Sequence, residues 1–393
     1  MVTRKRNPAS TLLLAAVLAI FLWVTFRSSY SLFVTAPHNL PLQILADREV
    51  VPTPLAVFPL ADYQLPETYR LALLTQVTDW SHRKLSSEGV IVHALRLRRL
   101  ARLSELNGAR KSFYEQLLES VLDDRRYQVW APGFPLLYDT QYGACYRTSA
   151  RGPGKMIGGI PHVDKVLSTL GELGVGLSTD ITTHGGQCRQ LADVLQDSLC
   201  RWHPDRENEW TLIAYCTYLT TQRKWVDANG VPRSIDDVLR AVLGRTTVGP
   251  CFGIHRWYGL AKACMRARQT PGFFEPTEVQ KAETVLQSIC AQLVSSQHPS
   301  GYWDPQRVNA SGVPWIEGGD LDDPRLRLVV TGHLLEWFAI VDQDLRPPPD
   351  SIRKAANYLE HELRHNSDSY LGGSYLTPST HAIRALFHLS GIS

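Results

Sequence analysis

The amino-acid sequence predicts an all-α fold, an (α/α)6 toroid in which a double ring of helices follows an N-terminal transmembrane signal-anchor helix. Three observations lead to this prediction. Apolar residues recur at helical spacing through most of the chain, no run of alternating strand residues stands out, and histidines recur near the predicted helix starts. The chain has 393 residues, 44% of them hydrophobic, which is ample for a large core.

Twelve segments have the helical pattern, which is the number that six antiparallel pairs require. Start signals support them, since Ser234 precedes one segment as an N-cap residue and Pro276 opens another at its first position. The twelve predicted helices are Glu67–Trp80, Ser87–Leu103, Ala109–Asp124, His162–Leu173, Gly186–Leu199, Glu209–Thr220, Ile235–Leu243, His255–Arg268, Pro276–Ser296, Arg325–Val341, Asp350–His365 and Thr380–Leu389.

Four histidines favour a closed ring over a bundle or an open superhelix. His184, His255, His333 and His381 each lie at or just before an apolar helical segment, and His93 is a weaker fifth case. In an α/α toroid the inner helices run parallel, so their amino termini gather at one mouth of the central cavity. The repeating position therefore predicts that these imidazoles face one another around that mouth. The alternative is that each histidine merely caps or packs against its own helix.

Such a mouth would carry free N–H groups and the positive ends of helix dipoles, which suit an anion. The same position would depress the pKa of a histidine and keep it neutral, ready to accept a proton or a metal ion. We therefore take the four histidines as candidate catalytic residues. The predicted cavity-lining residues are Arg256, Trp257, Tyr258, Glu336 and Trp337.

The stretch from Ala291 to Trp303 contains the spacing Q-x-x-x-G-x-W, formed by Gln297, Gly301 and Trp303. The glutamine amide can cap backbone groups at a helix end, the glycine permits a tight turn, and the tryptophan can bury its ring while donating its N–H. The spacing resembles the QW motif of the prenyltransferase and squalene cyclase (terpenoid cyclase) superfamily, in which such turns brace the outer helices of the double ring. The resemblance covers at most residues 67–393.

Three acids form a second motif. Asp320, Asp322 and Asp323 match D-x-D-D, which resembles the acid motif that protonates the substrate in squalene–hopene-type cyclases. That chemistry needs one carboxylic acid kept protonated by its charged neighbours. In this chain Pro324 follows directly, so the alternative is an acidic loop with Asp323 as an N-cap and Pro324 at the first helical position. The resemblance nevertheless makes the three acids candidate catalytic residues.

A zinc site is a further interpretation of the sequence. In protein prenyltransferases, which belong to the superfamily that this chain resembles, zinc ligands lie on neighbouring inner helices. Cys251 and His255 form an i, i+4 pair that His333 could complete. The D-x-C segment of that family is absent, and the seven cysteines contain no C-x-x-C pair. We therefore assign no metal ligand from the sequence and expect most of these cysteines to be small core residues.

The amino terminus predicts the location of the protein. Arg4, Lys5 and Arg6 precede the apolar run from Thr11 to Phe26, which is the pattern of either an uncleaved signal anchor or a signal peptide. No clean small-x-small cleavage site follows directly, which favours a signal anchor within residues 1–34 and places the bulk of the chain outside the cytoplasm. Residues 35–66 are proline-rich and predict a linker that is extended or wraps along the body, and residues 67–393 form the toroid domain. Since the body is nearly neutral, nucleic acid is not an expected partner.

These observations and the resemblance predict a membrane-anchored, extracytoplasmic toroid that binds or transforms an apolar ligand of the isoprenoid type in its central cavity. Two alternatives remain open. One is a carbohydrate-active α/α toroid, a lyase, epimerase or hydrolase that uses histidine, tyrosine and carboxylate as acid and base. The other is a non-catalytic binding scaffold. The fold alone does not decide between them.

Overall fold

The structure is a computed structural model. It describes the residue ranges 47–52, 57–84, 88–98, 108–133, 135–147, 162–245, 251–305, 323–366 and 376–392. These residues belong to one compact unit, Gln43–Ser393. The predicted anchor in residues 1–34 lies outside the described residues, and none of the described helices is both long and apolar enough to cross a bilayer.

The described residues are mostly α-helical, which confirms the all-α part of the predicted fold class. Each of the twelve predicted segments contains a helix, and a thirteenth short helix, α4, follows directly after α3. The helices of the described residues are α1 Glu67–Lys84, α2 Glu88–Arg98, α3 Gly108–Leu122, α4 Asp124–Trp130, α5 Lys165–Glu172, α6 Leu191–Cys200, α7 Glu209–Tyr218, α8 Ile235–Gly244, α9 Ile254–Gln269, α10 Pro276–Ser296, α11 Pro324–Phe338, α12 Pro349–His365 and α13 Leu376–Leu389.

Helix ends agree best with the sequence where a capping residue fixes them. Pro276 opens α10 at its first position, as predicted, and the helix ends at Ser296. Ser234 caps α8 by accepting a hydrogen bond from the Asp237 N–H, and the Asp237 carboxylate accepts one from the Ser234 N–H in return. Local side-chain chemistry therefore sets these boundaries independently of the tertiary packing.

The expectation of no strands was wrong, because three antiparallel two-stranded hairpins connect the helices. Their strands are β1 Leu137–Thr140 with β2 Gly143–Tyr146, β3 Asp180–Thr182 with β4 Cys188–Gln190, and β5 Lys224–Val226 with β6 Pro232–Ser234. The strands are three or four residues long, too short for an alternating pattern to stand out. The strand β4 shortens one predicted helix, because the segment Gly186–Leu199 becomes helical only at Leu191.

Six helices contact one another in a cyclic order. Helix α2 contacts α5, α5 contacts α7, α7 contacts α9, α9 contacts α11, α11 contacts α13, and α13 contacts α2 again. The helices α1, α3, α8, α10 and α12 each pack against one or two members of this set. Gly332 is one reason for the close α11–α13 contact, since a Cβ at that position would lie 2.8 Å from the backbone nitrogen of Ala382.

The three residues of the Q-x-x-x-G-x-W segment do what their chemistry predicts. The Gln297 amide donates to the carbonyl oxygens of Gly301 (2.7 Å) and Ser351 (2.9 Å), and so ties the end of α10 to the start of α12. Gly301 has φ of +101°. The indole of Trp303 is fully buried and donates to the Leu293 carbonyl over 2.8 Å. This segment therefore braces two helices that lie outside the cyclic set.

The described part of the proline-rich segment packs against the helices. Leu60, Tyr63 and Leu65 are buried. The Phe58 N–H donates to the Ala339 carbonyl over 2.7 Å, and the Leu60 N–H donates to the Leu389 carbonyl over 2.9 Å. The sequence predicted either an extended linker or a segment that wraps along the body, and residues 57–65 follow the second interpretation.

Candidate functional site

Five buried histidines lie in ring-to-ring contact, and four of them are on helices of the cyclic set. We call them the histidine row, and each is at most 5% exposed. The successive ring centroids are 4.6 Å apart from His162 to His255, 4.9 Å to His333, 3.5 Å to His381 and 4.7 Å to His93. The row therefore brings together side chains from α2, α9, α11 and α13 and from the residue pair that precedes α5.

A tight turn sets Cys251 beside this row. Cys251 begins a 3-10 turn, Cys251–Gly253, with φ of +52°, a conformation that costs energy for a residue with a side chain. Gly253 follows with φ of +76° and starts α9, so that His255 falls in the first turn of the helix. The cysteine and the histidine are thus positioned by the same backbone reversal.

Three side chains form a donor set suited to a metal ion. The ligand atoms of His162, Cys251 and His255 all lie within 4.8 Å of one another. Glu207 supports the set, since its Oε1 lies 2.7 Å from His162 Nδ1 and 3.9 Å from His255 Nδ1. The Nδ1 atom of His255 is buried without a hydrogen-bond partner. Thiolate and imidazole are the donors that zinc prefers, and a carboxylate behind a ligating histidine is the usual supporting group.

A second group shares one carboxylate. The Nδ1 atoms of His333 and His381 lie 3.2 Å and 3.0 Å from Oε2 of Glu336. Because the carboxylate accepts from both N–H groups, the two Nε2 atoms are left as acceptors, and both are buried without a hydrogen-bond partner. The ligand atoms of this group also lie close enough to hold a metal ion.

Two arginines and two glutamates form a closed network below the row, which we call the charge square. Arg384 donates to Glu336 Oε1 (3.1 Å) and to Glu172 Oε2 (2.9 Å), and Arg96 contacts the same two carboxylates at 3.6 Å and 3.4 Å. The Tyr258 hydroxyl donates to Glu172 Oε1 over 2.7 Å. All four charged residues are buried and their formal charges cancel, so the square can sit at the centre of the protein.

Lys165 is a buried cation outside this square. Its Nζ donates to His93 Nε2 over 3.1 Å and lies 5.5 Å from the ring centroid of Trp210. None of the ion pairs among the described residues includes Lys165, although its exposed fraction is only 2%. Burial accordingly lowers its pKa to about 8.

The pKa shifts in the row do not have the predicted origin. Burial, rather than a helix amino terminus, lowers the pKa of His255 and lowers that of His381 to about 3. For His333 burial acts in the same direction, but Cys251 and Glu336 outweigh it and raise the pKa above the ordinary value. Burial would raise the pKa of Glu336, but its cationic neighbours hold it well below the usual range. Glu336 is therefore an anion.

The structure brings three of the four predicted histidines together and separates the fourth. His255, His333 and His381 lie in the row, although only His255 is at a helix start, since His333 and His381 lie within α11 and α13. The expectation of a helix start was also wrong for His184, which lies in the β3–β4 turn, half-exposed, with its Nδ1 3.0 Å from Asp124 Oδ2.

Only some of the predicted cavity-lining residues lie together in the structure. Tyr258 and Glu336 belong to the central network. Arg256 turns away and donates to the backbone carbonyls of Leu243 and Arg245. Trp257 and Trp337 are both buried, the latter with its ring centroid 4.4 Å from that of Phe338.

The predicted acid motif falls largely outside the described residues, where Asp320 and Asp322 lie. Asp323 is described and is the N-cap of α11, accepting from the Arg325 N–H over 2.9 Å, with Pro324 at the first helical position. The Arg325 side chain lowers the pKa of Asp323. A proton-donating acid needs the opposite shift, so the N-cap interpretation fits this residue better.

Sequence reasoning missed His162, Glu207 and Lys165. The first two lie in connecting segments, where helical periodicity gives no signal. A cue for His162 was present, because His162 is the first residue of the predicted helix His162–Leu173 and so has the kind of position that singled out the other histidines. Cys251, His255 and His333 were weighed together as zinc ligands without being assigned, and the structure places the first two with His162.

No protein-family model matches this chain, and neither a curated protein nor a solved structure does. The function is therefore argued from the site itself.

Proposed function

We propose that the helical unit is an (α/α)6 toroid and that α2, α5, α7, α9, α11 and α13 form its inner ring. The cyclic order of the contacts supports this, as does the position of the remaining helices outside that set. In this arrangement the histidine row and the charge square fill the middle of the ring. We also propose that the toroid is tethered outside the cytoplasm by the apolar segment within residues 1–34, on the strength of its flanking positive charges.

The function that the site supports best is that of a metalloprotein with a zinc-type centre held by His162, Cys251 and His255. The observation that carries the proposal is the convergence of these three donor atoms at the buried centre. Cys251 and His255 come from one turn, and packing alone does not require the imidazole of His162, from a distant part of the chain, to meet them.

The local charge also fits a divalent cation. The charge square is neutral by itself. Around the donor set, Glu207 and the thiolate form of Cys251 bring two negative charges, and Lys165 brings one positive charge. The net charge around the donor set is therefore negative, which attracts a divalent cation. The free energy of metal binding would also offset the backbone strain at Cys251.

Three protein ligands leave a fourth position open, which is the pattern of catalytic rather than structural zinc sites. A bound zinc ion would act as a Lewis acid that activates water or polarises a substrate oxygen. The polar interior favours a hydrophilic substrate over the isoprenoid ligand that the resemblance implied, because an apolar chain would have to desolvate buried charges. The carbohydrate-active toroid, which is one of the two alternatives, therefore fits better than the isoprenoid-binding toroid that the resemblance implied.

Metal analysis tests the proposal. We expect the full chain, purified in detergent, to contain about one zinc ion per molecule. Replacement by Co²⁺ should give the intense near-ultraviolet band of a thiolate-to-cobalt transition. The Cys251→Ser variant should lose that band, and the His255→Ala and His162→Ala variants should bind the metal much more weakly.

The matched control is Cys264→Ser, because Cys264 is a buried thiol on α9, the helix that carries His255, and is not part of the donor set. It should retain both the metal and the cobalt band. A wild-type chain without stoichiometric metal that also fails to take up Co²⁺ would refute the proposal. So would metal that stays bound in the Cys251→Ser and His255→Ala variants.

A further inference from the structure

We propose that His361 and His365 form a second metal-binding site, at the exposed carboxyl end of α12, for a divalent transition-metal ion such as Zn²⁺. The two histidines lie four residues apart on the helix, and both are exposed. They begin and end the segment 361–365, His-Glu-Leu-Arg-His, which has the spacing H-E-x-x-H. On a helix this spacing puts both imidazoles on one face, where they can bind the same zinc ion. None of these residues belongs to the buried donor set, so the inference does not depend on it.

The two rings already lie close enough to share an ion. Their centroids are 4.2 Å apart and their planes are inclined by 31°. Because a Zn–N bond is about 2.0–2.1 Å long, two nitrogens on one ion lie about 3–4 Å apart. Both side chains are exposed, so rotations about their side-chain bonds can bring a nitrogen of each ring to that separation without moving the core.

One hydrogen bond prepares His365 as a ligand. Its Nδ1 lies 2.8 Å from the backbone carbonyl oxygen of His361. A carbonyl oxygen can only accept, so Nδ1 carries the proton and Nε2 of the neutral ring presents a lone pair. Metal-ligating histidines usually donate their other N–H in this way, which orients the ring and raises the basicity of the ligating nitrogen. The hydrogen bond therefore selects the tautomer that metal binding requires.

The local electrostatics also suit a cation. Helix α12 ends at His365, so the pair lies at the negative end of the helix dipole. The segment that ends there contains Glu360, Glu362 and Arg364, whose formal charges sum to −1. The Arg364 guanidinium donates to Glu360 over 3.1 Å and lies 3.9 Å from the ring centroid of Tyr69, so its own charge is already paired.

Two protein ligands make this an open site. Among the described residues, no third histidine, cysteine or carboxylate joins the pair in a metal-binding group. Water or a small ligand would fill the remaining positions, and the ion would exchange with solvent. In metalloproteases the glutamate of this motif acts as a base. Here the histidines are exposed, and we infer metal binding alone. Imidazole ligands suit zinc, copper and nickel.

Zinc titration of a chain without the buried thiolate ligand tests the inference. The parent protein is full-length Cys251→Ser in detergent, freed of metal by chelator and desalting, and binding of Zn²⁺ alone is measured by calorimetry. We expect one saturable site. His361→Ala and His365→Ala, each made in this parent, should weaken its affinity about tenfold or more, because the remaining imidazole loses its chelating partner. Zinc should raise the Tm of the parent and not that of the two variants.

His203→Ala in the same parent is the matched control. His203 is an exposed histidine outside the H-E-x-x-H segment, so the affinity should be unchanged. The substituted histidines are all exposed, so these variants should fold. If Cys251→Ser itself does not fold, wild type loaded with one zinc ion serves as the parent, and binding of a second ion is measured. Absence of zinc binding in the parent, or equal affinity in the parent and both variants, would overturn the inference.

The buried centre can fail separately. An ion held by two exposed imidazoles should be lost on desalting, so the zinc content expected of the purified chain does not change. Co²⁺ at this site has no thiolate ligand, so His361→Ala should keep the cobalt band when Cys251 is intact. If wild type lacks the band but His361→Ala still weakens zinc binding, only the surface site exists. If the band is present and His361→Ala has no effect, the buried centre stands and the surface site is wrong.

Discussion

Neutralising Glu336 should destabilise the protein strongly, because the charge square at its centre would lose its balance. Glu336 is 1% exposed and its Oε1 faces two arginines, at 3.1 Å from Arg384 and 3.6 Å from Arg96. Its Oε2 accepts from two imidazoles of the histidine row. The substitution Glu336→Gln keeps the volume and removes the charge, which leaves one buried arginine charge uncompensated.

The magnitude follows from this arrangement. Breaking a buried ion pair by removing one partner costs about 3–5 kcal/mol, so Glu336→Gln should lower the free energy of unfolding by that amount. Arg384→Met should cost about as much by itself. The double variant restores neutrality, because Arg96 then pairs with Glu172 alone. Its loss should therefore be smaller than the sum of the two single losses by about 3 kcal/mol.

Urea denaturation followed by tryptophan fluorescence measures all four proteins of this double-mutant cycle, with chelator present so that metal binding does not enter the result. The exposed pair Arg126–Glu119, which joins α4 to α3, is the control, and its coupling should be about 0.2–1 kcal/mol. A loss below about 1 kcal/mol for Glu336→Gln, or strict additivity in the cycle, would show that solvent reaches these charges and that the burial argument is wrong.

Two further predictions concern the body around the site. Gly301→Ala should cost about 3 kcal/mol or more in urea denaturation, because its Cβ would lie 2.2 Å from the carbonyl oxygen of Lys354 at a φ of +101°. Gly230→Ala, at φ of +76° with nothing within 4 Å, should cost only about 1–2 kcal/mol, and equal losses would count against the steric argument. Burial, and then the nearby Glu207, raise the pKa of Glu209 to about 6. The folded state then holds this proton more tightly than the unfolded chain, so stability should fall by about 2 kcal/mol as the pH rises from about 4.5 to about 6. Unfolding measured across that window should show this slope in wild type and lack it in Glu209→Gln; the same slope in both would assign it to another group.

The helices could be predicted from the sequence because their physics is local. A buried stripe at helical spacing and a capping residue suffice to place α8 and α10, whose ends agree with the prediction to within a residue. The hairpins could not be predicted in this way. The strand β3, for example, has only three residues, and its pairing with β4 is fixed by the register Ile181 with Arg189 rather than by an apolar pattern.

Part of the candidate site could be predicted from the sequence, but the physical reason behind that prediction was wrong. Helix starts were expected to gather the histidines, yet His333 and His381 lie in the middle of their helices. Close backbone contact brings them together, and Gly332 permits it. For His333 the signal in the sequence was therefore the preceding Gly332 as much as the histidine itself, whereas His381 follows Thr380. His184 also neighbours a glycine, but in a turn, which is why the same pattern failed there.

The remaining site residues could not be found from one sequence because their roles arise only from long-range contact. Lys165 looks like an ordinary charged residue at a helix start, and Glu207 like part of a polar loop. Burial changes both. Lys165 becomes a cation that forms no ion pair among the residues that the structure describes, and Glu207 becomes the carboxylate behind His162. A helical core that needed only stability would be filled by apolar side chains, since buried ion pairs seldom improve on them. The concentration of ionisable groups at one point is therefore the strongest reason to look for chemistry there.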